Sequence, residues 1–281
     1  MKRPTRPVLR YFGGKWMLAP WIIRHFPAHR IYVEPYAGAA SVLLRKPRSY
    51  AEVYNDLDDE VVNLFRVLRD PELGARLIAQ VGLTPFSRTE FQAAYEVVEE
   101  PVERARRLVV RSYQAHGANG VHLNRSSGFR ANGLSANTSP ARDWASLPGP
   151  LGAVVERLRG VTIESRPALD IIARFNAGNS LLYVDPPYVP STRSQKHHGA
   201  EQYHAYPCDM TEADHESLLD VLLASPSMIV LSGYRCELYD DRLEGWARSD
   251  VDTTADGGRA RTESLWVNPA AVAASGMFIG G

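Results

Sequence analysis

The chain has 281 residues, of which 44% are hydrophobic and 23% charged, a balance that fits a globular protein with a sizeable core. Lys and Arg together number 32, as do Asp and Glu, so the net charge is zero and any polyanionic partner must be met by locally separated basic residues. Two cysteines, Cys208 and Cys236, do not suggest a disulfide scaffold in a chain this long, and there is no CxxC pair to suggest zinc. No apolar run reaches the roughly 18 residues of a membrane span. The basic start Met1–Arg10 lacks the apolar stretch of a signal peptide, so a cytoplasmic setting is expected.

In chain order, Ile31 to Val33 is a short apolar run stopped at Glu34-Pro35, and it predicts a buried strand. A helix is expected from Ser41 to Arg45, a second strand from Glu52 to Tyr54, and a helix from Asp59 to Leu68, where apolar residues keep helical spacing. Phe91 to Val110 reads as helical throughout. Ala118 to Pro140, rich in Asn, Gly, Ser and Arg, reads as a hairpin or ordered loop, with a plain surface loop as the alternative. Strand–helix alternation then returns. Ser180 to Val184 is a buried strand, Thr211 caps a helix with Asp214 in the capping-box position, and Ser227 to Ser232 and Glu263 to Asn268 are strands. Alternation at both ends around a polar insert implies an α/β fold, a parallel sheet interrupted by a second domain.

Four pieces carry chemistry. Tyr11-Phe12-Gly13-Gly14-Lys15 offers a double glycine for close backbone approach and a fixed cation, although a plain turn explains it equally well. Glu34-Pro35-Tyr36-Ala37-Gly38 is a small-residue turn leaving a strand, where open α/β sheets bind ligands, and it is no phosphate loop. Asp56 ends the second strand, close to the spacing of about 20 residues after a glycine turn at which an acidic residue accepts from ribose hydroxyls, and it could equally cap the next helix. Asp185-Pro186-Pro187-Tyr188 follows a buried strand. Its prolines stiffen the turn and remove donors, so that a carboxylate and a carbonyl can accept both hydrogens of an amino group, beside a flat ring for stacking.

These four, in this order and with Arg261-Thr262-Glu263-Ser264-Leu265-Trp266 closing the chain, resemble the Dam-like family of DNA adenine (amino) methyltransferases over nearly the whole sequence. The resemblance implies a Rossmann-like methyltransferase domain at 1–62 and 160–281 and a mainly helical target-recognition domain carrying a hairpin at 63–159. It implies S-adenosylmethionine as cofactor, double-stranded DNA as partner, and no metal. By position it assigns cofactor contacts to Tyr11, Phe12, Gly13, Gly14, Lys15, Glu34, Pro35, Tyr36, Gly38, Asp56 and Asp185, and catalysis to Asp185, Pro186, Pro187 and Tyr188. Base and phosphate contacts fall to Asn119, Asn124, Arg125, Arg130 and Asn132. The family often carries glycine where this chain has Ala40. A monomer is the default, and no restriction-enzyme partner is implied.

Other motifs point less far. Pro207-Cys208 resembles the nucleophilic pair of cytosine carbon-5 methyltransferases but has no matching partner motifs, and His197-His198 lacks the spacing of a metal site. A cytosine-amino methyltransferase would use the same chemistry but more often carries Ser in place of Asp185. A catalytically inactive DNA-binding relative need not retain an intact Asp185 turn and Asp56.

Overall fold

The computed structural model describes residues 3–117, 121, 123, 127–131, 139–192, 209–254 and 260–276. From the amino end, α1 (Ala19–Ile23) precedes β1 (Ile31–Glu34), α2 (Ser41–Arg45) and β2 (Ala51–Asn55). A helical stretch follows: α3 (Asp59–Arg69), α4 (Pro71–Leu83), α5 (Arg88–Ala93), α6 (Pro101–Gln114), α7 (Pro140–Ala145) and α8 (Pro148–Leu158). Then come β3 (Val161–Glu164), α9 (Ala168–Arg174), β4 (Ser180–Val184), α10 (Glu212–Leu223), β5 (Met228–Gly233), α11 (Glu237–Arg242), β6 (Ala247–Thr254), β7 (Ala260–Val267) and α12 (Pro269–Ser275).

The strands form a sheet in the order β3-β2-β1-β4-β5-β7-β6, with β1 parallel to β2 and β4, β4 parallel to β5, and β7 antiparallel to both β5 and β6. This is the mostly parallel, helix-flanked, Rossmann-like arrangement that the sequence led us to expect. The order runs one way from β1 to β3 and the other way from β4, so the topological switch lies between β1 and β4, where such sheets bind ligands at strand carboxyl ends.

The chain divides into two compact units. The first comprises Met1–Ala19, Gly38–Lys46 and Asp58–Ile163. Four of its described helices, α3, α4, α6 and α7, start on side-chain caps. Asp58 accepts from the Glu60 amide, and Asp70 accepts from the amides of Glu72 and Leu73 ahead of Pro71. The apolar faces of α3, α4, α6 and α8 bury Leu64, Phe65, Leu77, Leu108 and Leu151 together. The helical pattern from Phe91 to Val110 belongs to two helices. α5 ends at Ala93, and α6 begins at Pro101, which lacks the amide that a continuing helix needs, with Glu100 accepting from the Glu103 amide as a fresh cap.

The second unit comprises Pro20–Ala37, Pro47–Leu57 and Glu164–Gly281. Period-two alternation sends Val33, Val53, Leu182, Val184, Ile229 and Leu231 to one face of the sheet, where they pack with α9, α10 and Trp266. Thr211 and Asp214 form the expected reciprocal capping box of α10. Asn268 lies beyond β7, not within the last strand. Its Oδ1 accepts from the amides of Ile229 and Ala271, so it starts α12 while holding β5.

Candidate active site

In the second unit, the carboxyl ends of β1, β2 and β4 carry the polar residues that the sequence singled out. Asp185 comes directly after β4 and is half-buried. Its Oδ1 accepts a hydrogen bond of 2.6 Å from the Ser232 hydroxyl on β5, a charge-assisted contact with a residue that sequence reasoning did not single out. Pro186 is buried and Pro187 half-buried. Tyr188 is buried, its hydroxyl donates to Glu263 Oε1 at 2.9 Å, and its ring stacks on Tyr234 with centroids 4.2 Å apart. Arg261 lies over the Tyr234 ring, 5.2 Å from its centroid.

The turn after β1 is built around Asn55, which is fully buried at the end of β2. Asn55 Nδ2 donates to the carbonyls of Pro35 at 2.8 Å and Arg166 at 3.0 Å, Oδ1 accepts from the Arg166 amide, and the main-chain oxygen accepts from the Ala37 amide. One side chain thus shapes the turn and fixes the strand end from which half-buried Asp56 emerges. Glu34 is buried and accepts from the Tyr32 hydroxyl at 2.5 Å. Burial, then the Glu34 carboxylate, pushes the Tyr32 phenol well above its usual range, so the proton stays on Tyr32. Burial likewise raises Tyr36, with a further push from Asp214. The structure therefore brings Glu34, Pro35, Tyr36, Asp56 and the Asp185–Tyr188 turn to the carboxyl edge of one sheet.

In the first unit, Tyr11 to Gly14 is a hydrogen-bonded turn. The Gly14 amide donates to the Tyr11 carbonyl at 3.0 Å, and Gly13 takes φ 72°. A Cβ on Gly14 would stand 3.0 Å from that same carbonyl, so both glycines are required by the turn. Lys15 is buried and donates to the Gly13 carbonyl. Gly38 has φ 46°, and a Cβ there would meet the Tyr11 ring at 3.0 Å, so the aromatic residue of the opening motif packs directly on the glycine of the second one. Ala40, where the family often carries glycine, adopts φ 53° and is fully buried at the start of α2.

The expected DNA-contacting residues Asn119, Asn124, Arg125 and Asn132 lie outside the described residues, as do Asn119-Gly120, His197-His198 and Pro207-Cys208. The base of the expected hairpin is described. Ala115 and Phe129 form an antiparallel bridge, and the Arg130 amide donates to the Gln114 carbonyl at 2.8 Å. Phe129 packs against Phe86 and Phe91. The Arg130 guanidinium is 4.0 Å from Asp143. The arginines of α6 are committed inside the unit: Arg104 to Asp59 and Glu60, Arg106 to Glu90 and Glu103, Arg107 to Glu103, and buried Arg111 to Glu60. Their charge is thereby neutralised locally. Among the described residues no cluster of His, Cys, Asp and Glu is placed to hold a metal ion, and no helix is long and apolar enough to cross a membrane.

Comparison with known proteins agrees with this arrangement. The family described as D12 class N6 adenine-specific DNA methyltransferase matches residues 11–244. A DNA adenine methylase of Serratia marcescens is 27% identical over 197 residues, covering 67% of this chain and 68% of that protein. The DNA adenine methylase of Escherichia coli (strain K12) is 24% identical over 193 residues, covering 67% of this chain and 66% of that protein.

Proposed function

The chain belongs to the D12 class of N6 adenine-specific DNA methyltransferases, and on that premise we propose that it transfers the methyl group of S-adenosylmethionine to an adenine extruded from duplex DNA. Methylation of adenine N6 in DNA is its reaction. The observation that carries the mechanistic reading is Asp185, set directly after β4 at the switch point with its carboxylate engaged by Ser232.

The residues fit the proposed donor. Asp56 presents two carboxylate acceptors for a ribose diol, Glu34 adds a buried carboxylate, and the turn after β1 is built of small residues. Tyr11, Phe12, Gly13, Gly14, Lys15 and Gly38 join this set through the family motif. When bound, the sulfonium supplies an electrophilic methyl group.

The amino nitrogen of adenine is a poor nucleophile because its lone pair is delocalised into the ring. Extruding the base costs a few kcal/mol. The Asp185 carboxylate and the Pro186 carbonyl accept its two amino hydrogens, which returns electron density to nitrogen and directs its lone pair. The face of Tyr188 turned away from Tyr234 supports the base. Holding the reacting atoms about 3–3.5 Å apart supplies part of the acceleration. As the methyl carbon would leave the sulfonium sulfur, releasing a neutral thioether, and bond to nitrogen, Asp185 would stabilise the positive charge developing there and accept the proton that nitrogen gives up, passing it on to water. Residues 1–62 and 160–281 form the proposed catalytic domain, and 63–159 the target-recognition domain, in which Arg130 and the residues around it serve base and phosphate contacts.

The test combines product and variant. DNA methylated by the purified protein, digested to nucleosides and weighed, should contain N6-methyladenine, and N4-methylcytosine would favour the cytosine-amino reaction. Asp185→Ala should lower transfer roughly a hundredfold or more while DNA binding persists. Normal transfer by that variant would overturn the mechanism.

A further inference from the structure

We propose that Ser232 is the positioning residue for the Asp185 carboxylate, and that Tyr183 acts behind it, so that a three-member hydrogen-bond chain aims the group that grips the substrate amine. The inference rests on the reading of Asp185 given above.

The chain follows from sheet register. β4 and β5 run parallel with Tyr183 opposite Val230 and Val184 opposite Leu231, so the next step sets Asp185 beside Ser232. Alternation then turns Tyr183, Asp185 and Ser232 to one face, opposite the apolar face that carries Leu182, Val184 and Leu231. The Ser232 hydroxyl has one hydrogen. It lies 2.6 Å from Asp185 Oδ1 and 3.4 Å from the Val184 carbonyl, and the shorter contact to the charged acceptor takes it. The contact of 3.0 Å between the Tyr183 and Ser232 hydroxyls therefore has Tyr183 as donor. The direction is fixed as Tyr183 to Ser232 to Asp185, ending on a carboxylate.

Burial makes this chain stiff. Ser232 is 1% exposed and Tyr183 3% exposed, and the Tyr183 ring packs against Phe26. Asp185 itself is half-buried at the sheet edge. Fixing Oδ1 from behind sets the direction of Oδ2. A carboxylate aimed in advance incurs no reorientation cost during transfer.

Ser232→Ala should lower kcat about ten- to a hundredfold, the worth of a hydrogen bond to a charged group. KM for DNA and for S-adenosylmethionine should stay within about threefold, because Ser232 touches neither. Ser232→Thr, which restores a hydroxyl, should recover most of the loss. Tyr183→Phe, which removes one buried oxygen, should lower kcat about two- to tenfold. If Tyr183 acts through the serine, the double variant Tyr183→Phe/Ser232→Ala should be no slower than Ser232→Ala alone. A kcat within twofold of the parent for Ser232→Ala, or losses that multiply in the double variant, would overturn the proposal. If Ser232→Ala does not fold, Tyr183→Phe decides, and an unchanged kcat overturns the chain. Asp185→Ala measured alongside separates the two readings: an inactive Asp185→Ala with a normal Ser232→Ala refutes only the positioning role, whereas an active Asp185→Ala refutes the mechanism beneath it.

Discussion

The Tyr188 hydroxyl donates to Glu263 Oε1 at 2.9 Å with both residues buried, so the last residue of the Asp-Pro-Pro-Tyr turn is tied to β7 and does not swing freely. Glu263 and Arg261 sit two residues apart on that strand. One holds the phenol of Tyr188, and the other covers Tyr234, the ring stacked against it. β7 thus supports the proposed base-stacking surface from behind.

This tie can be cut in two ways. Tyr188→Phe keeps the ring but removes a donor to a buried carboxylate, and should lower unfolding free energy by about 1–3 kcal/mol. Tyr188→Ala removes the ring as well. It should further weaken binding of cognate DNA by roughly five- to a hundredfold, the worth of stacking one base. Urea unfolding and fluorescence anisotropy measure the two effects. If all three proteins share one DNA affinity, Tyr188 has no stacking role.

Asn55 offers the clearest test of how the turn after β1 is made. Asn55→Asp replaces two donors by acceptors facing the carbonyls of Pro35 and Arg166. Asn55→Ala leaves those carbonyls and the Arg166 amide without this partner. Each change should destabilise the protein by about 2–4 kcal/mol, with the loss of affinity for S-adenosylmethionine exceeding that of a surface variant of equal stability. Calorimetric titration at a temperature where the variant is folded reads this directly. Unchanged donor affinity would confine Asn55 to a structural role.

What the sequence revealed follows range. β1, α2, β4 and the Thr211–Asp214 box depend on residues adjacent in the chain, and their patterns show them. β6 escaped notice because Arg248, Asp250 and Asp252 give it the polar alternation of a sheet edge, without an apolar run. Asn55 and Ser232 look ordinary in sequence. They acquire roles through Arg166 and Asp185, partners that only the register of the sheet brings near. The pairing of the α6 arginines was equally hidden, because Arg104 reaches back to Asp59 and Glu60 on α3. An aspartate after a buried strand was legible. The hydroxyl that aims it was not.

Gly38 predicts a strained substitution. At φ 46° an added Cβ incurs about 1–2 kcal/mol of backbone strain, and it would also press on the Tyr11 ring at 3.0 Å. Gly38→Ala should therefore lower stability by more than the strain alone, and Tyr11→Ala in the same chain should recover the steric part. Ala40 at φ 53° shows that a methyl group is tolerated at this backbone conformation when its surroundings accept it. Thermal unfolding of the two single variants and the double variant decides. Strictly additive losses would show that the ring and the glycine do not compete for space.

The network on α6 gives the protein a specific acid sensitivity. Glu103 accepts from Arg106 at 2.6 and 2.7 Å and from Arg107 at 2.7 Å, while Arg106 also reaches Glu90. Hydrogen bonding from Arg106, and then from Arg107, holds the Glu103 carboxyl below its usual range against the opposing effect of burial. A carboxyl depressed in the folded state binds protons more readily when unfolded. Its stabilisation is therefore complete above the unfolded value of about 4.3 and lost as pH falls through the folded one. Glu103→Gln should cost no more than about 1 kcal/mol at neutral pH, because the pair is partly solvated. The difference from the parent should shrink as pH falls below the unfolded value, and also in about 1 M salt at neutral pH. Urea unfolding of both proteins across that range measures it. A difference that stays constant with pH and salt would assign the effect to packing of the side chain and not to its charge.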